Sequence, residues 1–438
     1  MTDRTLYLAS LAHCLDDPAG VAGAFETIAD GAVLVESGRI VGVGPASRFA
    51  DVPDTEVLDY SGSILIPGLI DCHVHYPQLD IIGSFGEELL DWLERYAYPA
   101  EQRLADEAYA SELAELFVDE LIANGTTSAL VFATVHAHSA DLLFEAALRK
   151  DLRLISGKVL MDRGAPEALL DTPSSGYEES RGLIERWHGR GRLGYAITPR
   201  YALTSSEAQL ESAGRLAREY PDVWLHTHLA ENRREIDAVA EAFPESPSYL
   251  AVYERFGLLR ERAVFAHCVH LDDRDCRLMA RRGAAAAFCP TSNLFLGSGL
   301  FDLEKMQTAG VKTGLATDVG AGTSLSMLRT MGEAYKVLKL RDQVLGPADA
   351  LYLATLGAAR ALGIDAAVGS LEAGKEADFV LLDAAATRLA DHRSARAATL
   401  DERLFVLTTL GDDRHVRATV VNGRLFDKRE GRERDNGV

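Results

Sequence analysis

Four histidines and two carboxylates carry the chemistry open to this chain. His73 and His75 stand two apart in Pro67-Gly68-Leu69-Ile70-Asp71-Cys72-His73-Val74-His75, and His228, Glu231, His267 and Asp318 follow far downstream. On a β-strand alternate side chains share a face, so His73 and His75 can grip one cation while Cys72, between them, faces away. A lone His-x-His is weak evidence, since a histidine beside a strand is commonly structural; the joint set is stronger. Imidazoles with a carboxylate suit a borderline cation such as zinc, which binds nitrogen and oxygen at about 2.0–2.2 Å and keeps a position open for water when catalytic. Iron or manganese would accept the same donors. One divalent ion, zinc by preference, is the expected cofactor, and it would draw the pKa of water down toward about 7.

Water used as a nucleophile needs a proton carrier. If a helix begins just after the strand ending at His228, Glu231 returns to the same side one turn along. The bland alternative is an acid that complements the helix dipole. Gln78, Trp92 and Arg200 are the candidates for substrate. An amide offers both donor and acceptor, and a guanidinium fork donates to oxygen or ring nitrogen, which together match a planar heterocycle with carbonyl and N–H groups. Equally, Trp92 could be core and Arg200 paired with an acid. A carboxylated Lys158 bridging two ions is weighed and set aside in favour of one metal, because the neighbouring strand end, Thr198-Pro199-Arg200, has no lysine.

These residues need a frame that brings distant strand ends together. Between about residues 67 and 370, apolar strand-like runs alternate with helical patterns, the signature of an α/β chain with a parallel sheet. Eight strands are predicted, centred near Leu65-Ile70, Ser128-Phe132, Leu154-Val159, Gly194-Ile197, Val223-Leu225, Ala263-Phe265, Ala284-Phe288 and Lys312-Leu315. Helices are predicted over Ala105-Ala123, Ser206-Glu219, Ser326-Leu340 and Pro347-Leu362. The expected fold is a (β/α)8 TIM-type barrel, whose chemistry sits at the carboxyl ends of the strands. His73 and His75, Arg200 and Tyr201, His228, His267 and Asp318 all fall there. Outside it, Ala32-Glu36 and Arg39-Val43 about Glu36-Ser37-Gly38 read as a hairpin, and Ala377-Asp383 after a Gly374-Lys375-Glu376 turn and Arg417-Val421 before an Asn422-Gly423 turn show the same pattern. Neither end has enough strands for a core, so 1–66 and 371–438 are expected to share one small β-sandwich.

Composition removes other classes. Across 438 residues, 66 acidic side chains against 45 Lys+Arg leave a net charge of -21, which argues against a nucleic-acid polymer as partner. No run approaches the roughly 20 apolar residues of a membrane span, and residues 1–25 lack a secretory pattern. The cysteines, Cys14, Cys72, Cys268, Cys276 and Cys289, are scattered without a Cys-x-x-Cys, as in a reduced cytoplasmic protein. No Gly-x-Gly-x-x-Gly or Walker-type loop follows a strand, and the Pro-Cys-x-x-Cys signature of the other zinc deaminase class is missing.

A likeness to a known family covers nearly the whole chain and is carried by the strings Pro67 to Gln78, Trp92 to Pro99, Gly125-Thr126-Thr127, Gly157 to Asp162, Thr198 to Leu203, His226 to Asn232, His267-Cys268, Cys289 to Asn293 and Thr317-Asp318-Val319. By them the sequence resembles the amidohydrolase superfamily and, within it, the guanine deaminases. The resemblance implies that His73, His75, His228 and Asp318 hold the metal and that His267 holds or polarises the water. It implies that Gln78, Arg200 and the Tyr201 backbone orient a purine, a small-molecule partner, in a homodimer. The implied reaction is hydrolysis of guanine to xanthine and ammonia, with Glu231 shuttling protons, His267 stabilising charge on the attacking oxygen and Asp318 taking its last proton. Gly320-Ala321-Gly322 departs from the family's frequent all-glycine run. Rival readings are a deaminase or dechlorinase of another ring, such as a modified purine, cytosine or triazine, or a non-catalytic scaffold.

Overall fold

The computed structural model describes residues 4–85, 88–428 and 432–434. Eight parallel strands form the barrel: Leu69–His75, Thr126–Phe132, Arg153–Gly157, Leu193–Pro199, Trp224–Leu229, Ala263–His267, Ala285–Phe288 and Lys312–Leu315. A two-residue piece, Val159–Leu160, extends the third strand along the fourth. The ring closes where Asp318 N donates to His73 O (2.9 Å) and His75 N donates to Val319 O (2.8 Å). Alanines keep the lower interior narrow: Ala196, Ala266, Ala285, Ala287 and Ala316 pack with Ile70, Cys72, Leu130 and Val264. Helix Leu356–Leu362 stoppers the floor, accepting the Trp224 indole N–H on Leu362 O at 2.7 Å.

Two expectations about local structure change. The run near Leu65-Ile70 is not one strand: Leu65 ends inside Glu56–Pro67 of the terminal sheet, and the first barrel strand starts at Leu69. Its pairing with the second strand slips between Asp71 and Val74, so simple alternation fails there. Cys72 does turn away from the imidazoles, but into the barrel interior, with its sulfur 4.0 Å from Ala358 O. The predicted helix Pro347-Leu362 is two, Pro347–Ala354 and Leu356–Leu362, parted at Thr355 (φ -133, ψ -97). The Thr355 hydroxyl donates to Leu351 O at 2.6 Å, a local bond that competes with the helical ladder. Pro347 opens the first piece and Gly363, in the left-handed region at φ 65, ends the second, as their residue types require.

Both termini build one eight-stranded, mostly antiparallel sheet. Its strands run spatially Arg432–Arg434, Arg424–Asp427, Val416–Val421, Phe379–Leu382, Glu56–Pro67, Arg4–Cys14, Phe25–Glu36 and Arg39–Pro45. Tyr7, Leu11, Val33, Leu65, Phe379 and Val420 share its core. The expected hairpins form through two-residue turns with positive φ at both positions, Ser37-Gly38 (50, 72) and Asn422-Gly423 (50, 84). The hairpin pattern does not anticipate helices Arg388–Ser394 and Leu400–Leu410, which interrupt this sheet and pack on the barrel, Phe405 against Tyr335 at 5.2 Å between ring centroids. All five cysteines are free and buried. Among the described residues no helix is long and apolar enough to cross a membrane.

Candidate active site

The carboxyl ends of the barrel strands deliver the site. The donor atoms of His73, His228 and His267 lie within 4.8 Å of one another, as do those of His73, His75 and Asp318, and those of His267, Cys289 and Asp318. His75 Nε2 is 3.2 Å from both His73 Nε2 and His228 Nε2. Asp318 Oδ1 stands 3.1 Å from His73 Nε2 and 3.4 Å from His75 Nε2, and its Oδ2 is 3.7 Å from His267 Nε2.

The far nitrogens explain why the near ones converge. His228 Nδ1 faces Arg200 O at 2.8 Å and His267 Nδ1 faces Asn293 Oδ1 at 2.9 Å, both acceptors. Each Nδ1 therefore carries the proton, and each Nε2 turns a lone pair inward. His73 Nδ1 is 2.7 Å from His226 Nε2. With the Nε2 atoms of His228 and His267 turned inward as acceptors, and those of His73 and His75 3.1 and 3.4 Å from the Asp318 carboxylate, the donor set fits a divalent ion. His73, His75, His228, His267 and Asp318 are the residues able to hold it.

Burial also holds the imidazoles neutral. The pKa of His75 is lowered to about 3, and His73 and His228 also fall below the ordinary histidine value, burial being the largest cause each time. Burial opposes ionisation of Asp318, but His73, His75 and His267 outweigh it and hold the carboxyl well below its usual range. The backbone is bent to suit. Ala230 (φ 50), His267 (φ 72) and Asp318 (φ 49) occupy the left-handed region, a conformation that costs non-glycine residues on the order of 1–3 kcal/mol and that clusters at functional sites.

Glu231 reaches the site by a different route from the one the spacing suggested. The helix after the fifth strand begins only at Arg233, with Asn232 as its cap, so Glu231 precedes it. The left-handed Ala230, not a helical turn, swings the side chain inward. Glu231 Oε2 lies 3.3 Å from His267 Nε2, and its Oε1 accepts from the Ser298 hydroxyl at 2.9 Å. Burial first, and then the Asp318 charge, raise its pKa to about 8.

The pocket above has an empty volume of about 420 Å³ and takes Gln78, Trp92, Arg200, Tyr201, Glu231 and Asp318 into its lining. Every residue assigned from the sequence is thus brought together here. Lys158 is not among them: its ammonium donates to Asp171 Oδ2 at 2.6 Å and lies 3.0 Å from Glu179 Oε2.

Several supporting residues escaped the sequence reading. His226 shares a strand face with His228, a signal available from alternation. Asn293 sits in the Cys289-Pro290-Thr291-Ser292-Asn293 string without having been given a role. Asp71, whose pKa burial raises to about 7, accepts from His73 N (3.2 Å) and Thr317 N (3.0 Å), tying the first strand to the segment before Asp318. Ser298 and Glu101 had no signal in spacing, whereas Glu235 follows Asn232 at the capping-box interval that opens the helix.

A parallel barrel with a histidine and aspartate cluster at its carboxyl rim defines a metal-dependent hydrolase scaffold, and residues 64–426 match the amidohydrolase family. The chain belongs to that family. Among its relatives is the guanine deaminase of Escherichia coli (strain K12), 49% identical over 417 residues, 95% of each chain. The solved structure of the E. coli enzyme superposes with a TM-score of 0.95 at 47% identity, over 97% of this chain and all of that one. A C. acetobutylicum guanine deaminase with guanine in its active site gives 0.87 at 27% identity, covering 96% and 99%. A Xanthomonas campestris adenosine deaminase with bound zinc gives 0.85 at 25%, covering 98% and 94%.

Proposed function

We propose that this chain hydrolyses guanine to xanthine and ammonia. One observation carries the reading: the buried Glu231 carboxyl stands 3.3 Å from an imidazole of the donor cluster, in the same pocket as an amide and a guanidinium. The similarity to guanine deaminases, one of them with guanine bound, supports the choice of ring.

In this reading His73, His75, His228 and Asp318 would hold one divalent ion, for which zinc is the best match to the donors. When bound, it supplies the acidification that makes water a nucleophile at neutral pH. Glu231 takes a proton from that water and delivers it to a purine ring nitrogen, which makes C2 more electrophilic. The water oxygen bonds to C2, and the imidazole of His267 steadies the charge on it. Asp318 accepts the remaining hydroxyl proton and returns it to the exocyclic nitrogen; the C2–N bond then breaks and ammonia leaves. Gln78, Arg200 and the Tyr201 backbone orient the ring, and Trp92 walls the pocket. The same reading divides the chain into a barrel module over 67–370 and a terminal module over 1–66 plus 371–438. It takes the protein as a cytoplasmic homodimer, the location supported by five free thiols.

Ammonia release from guanine, with and without a chelator, tests the proposal. Release that the chelator abolishes and added zinc restores is the expected result. No release from guanine by zinc-loaded protein overturns it, and a panel of modified purines, cytosine and triazines then identifies the ring.

A further inference from the structure

Behind the pocket wall lies a carboxylate that no step above uses. Glu101, on the short helix Tyr98–Gln102, is 1% exposed and does not line the pocket. Its oxygens accept three hydrogen bonds from the two side chains that face the ring. Arg200 Nη1 donates to Oε1 (2.7 Å) and Oε2 (2.6 Å), and Gln78 Nε2 donates to Oε1 (2.8 Å). Gln78 is held at its other end too, since Gly320 N donates to its Oε1 at 3.1 Å. The Arg200 guanidinium lies 5.4 Å from the centre of the Tyr98 ring.

We infer that Glu101 is a positioning residue that dictates which hydrogen-bonding groups Gln78 and Arg200 turn toward the heterocycle, an inference that rests on the function proposed above. An ionised carboxylate only accepts, so it forces the amino end of the Gln78 amide backward and the carbonyl end toward Gly320. One amide N–H and one carbonyl lone pair stay free. The two contacts from Nη1 consume two of the five guanidinium donors, leaving the edge formed by Nε and Nη2. That edge matches two adjacent acceptors, the arrangement guanine offers at O6 and N7. The pair is also charge-neutral, so the pocket presents directed donors without a bare buried cation, which would be costly.

The substitution Glu101→Gln keeps the shape and removes the obligation to accept. The Arg200 and Gln78 contacts form with bound substrate before and during reaction alike, so their loss falls on KM. With metal-loaded protein, the KM for guanine should rise by about tenfold or more while kcat stays within about threefold, the scale of one misdirected charged hydrogen bond. Metal content per chain should not change. A crystal structure of the variant should show the Gln78 amide or the Arg200 guanidinium displaced from its wild-type place. Unmoved side chains, or a kcat that falls as far as kcat/KM at unchanged KM, overturn the inference. Should Glu101→Gln not fold, Glu101→Asp keeps the charge but withdraws the carboxylate by one methylene. It should show the same KM-against-kcat split, and a wild-type KM there overturns the inference equally. Failure of the proposed function appears separately, in the wild type, as no ammonia from guanine.

Discussion

Two of the places where the molecule buries charge are built on opposite plans. At the seam between barrel floor and terminal sheet, Arg153 Nη2 meets Glu376 Oε1 at 2.6 Å, and Arg192 Nη2 lies 2.9 Å from Glu376 Oε2 and also pairs with Asp378. Asn422 N adds a donor to Asp378 Oδ1 at 2.7 Å. Two cations face two anions, and the charges cancel within the protein. At the barrel rim, acceptors are turned on acceptors, held by Arg200 O and Asn293 behind them. Burial of ionisable groups is common to both regions. What marks the rim as functional is a donor set that only an added cation completes.

The sharpest break between the regions comes from Glu231→Gln. Turnover should drop by about 10²–10⁴-fold with metal content and thermal midpoint near wild type, because only proton transfer is lost. Turnover within a few fold of wild type would remove Glu231 from the shuttle. Arg192→Met attacks the seam: it leaves Asp378 and Glu376 short of a cation and should cost about 3–5 kcal/mol of stability in denaturant unfolding, with kcat for the folded fraction unchanged. His226→Phe removes the support behind His73 and should weaken metal binding by about 10–100-fold in a chelator competition, leaving the seam intact.

Acidification should separate the regions most gently. Neutral imidazoles bind metal and burial lowers the pKa values of His73, His75 and His228, so occupancy and activity should hold through the ordinary histidine value of about 6.5 and fall together only below it. The seam responds through a carboxylate. Burial works against ionisation of Glu376, but Arg192 and Arg153 outweigh it and hold the carboxyl below its ordinary 4.5. A depressed carboxyl gives stability that is present above the unfolded value and lost as pH falls through the folded one. The stability gap between wild type and Arg192→Met should therefore stay constant from pH 8 to about 5 and shrink only below about 4.5 in pH-dependent unfolding curves.

The rim was legible because each of its residues sits at a strand end, and strands announce themselves by short apolar runs. His228 and His267 could be placed this way. Glu231 does lie in the pocket, yet the helical turn invoked for it does not exist, since a single left-handed residue does that work and no pattern of types at Ala230 foretells it. The seam was invisible. Arg153, Arg192, Glu376 and Asp378 are spread over more than 220 positions, and charged residues next to strand starts usually read as solvated ends. The break at Thr355 was equally hidden, because Pro347 and Gly363 supply correct start and stop signals for a continuous helix.

The buried thiols noted in the fold give each region its own clock. Cys14 lies in the terminal sheet and Cys276 in a barrel helix, and burial raises their pKa values to about 12 and about 11. Alkylating reagents attack thiolates, so neither sulfur reacts while its surroundings stay closed. The order in which a pulse of such a reagent marks these two positions reports which half of the molecule opens first, with no label having to be engineered.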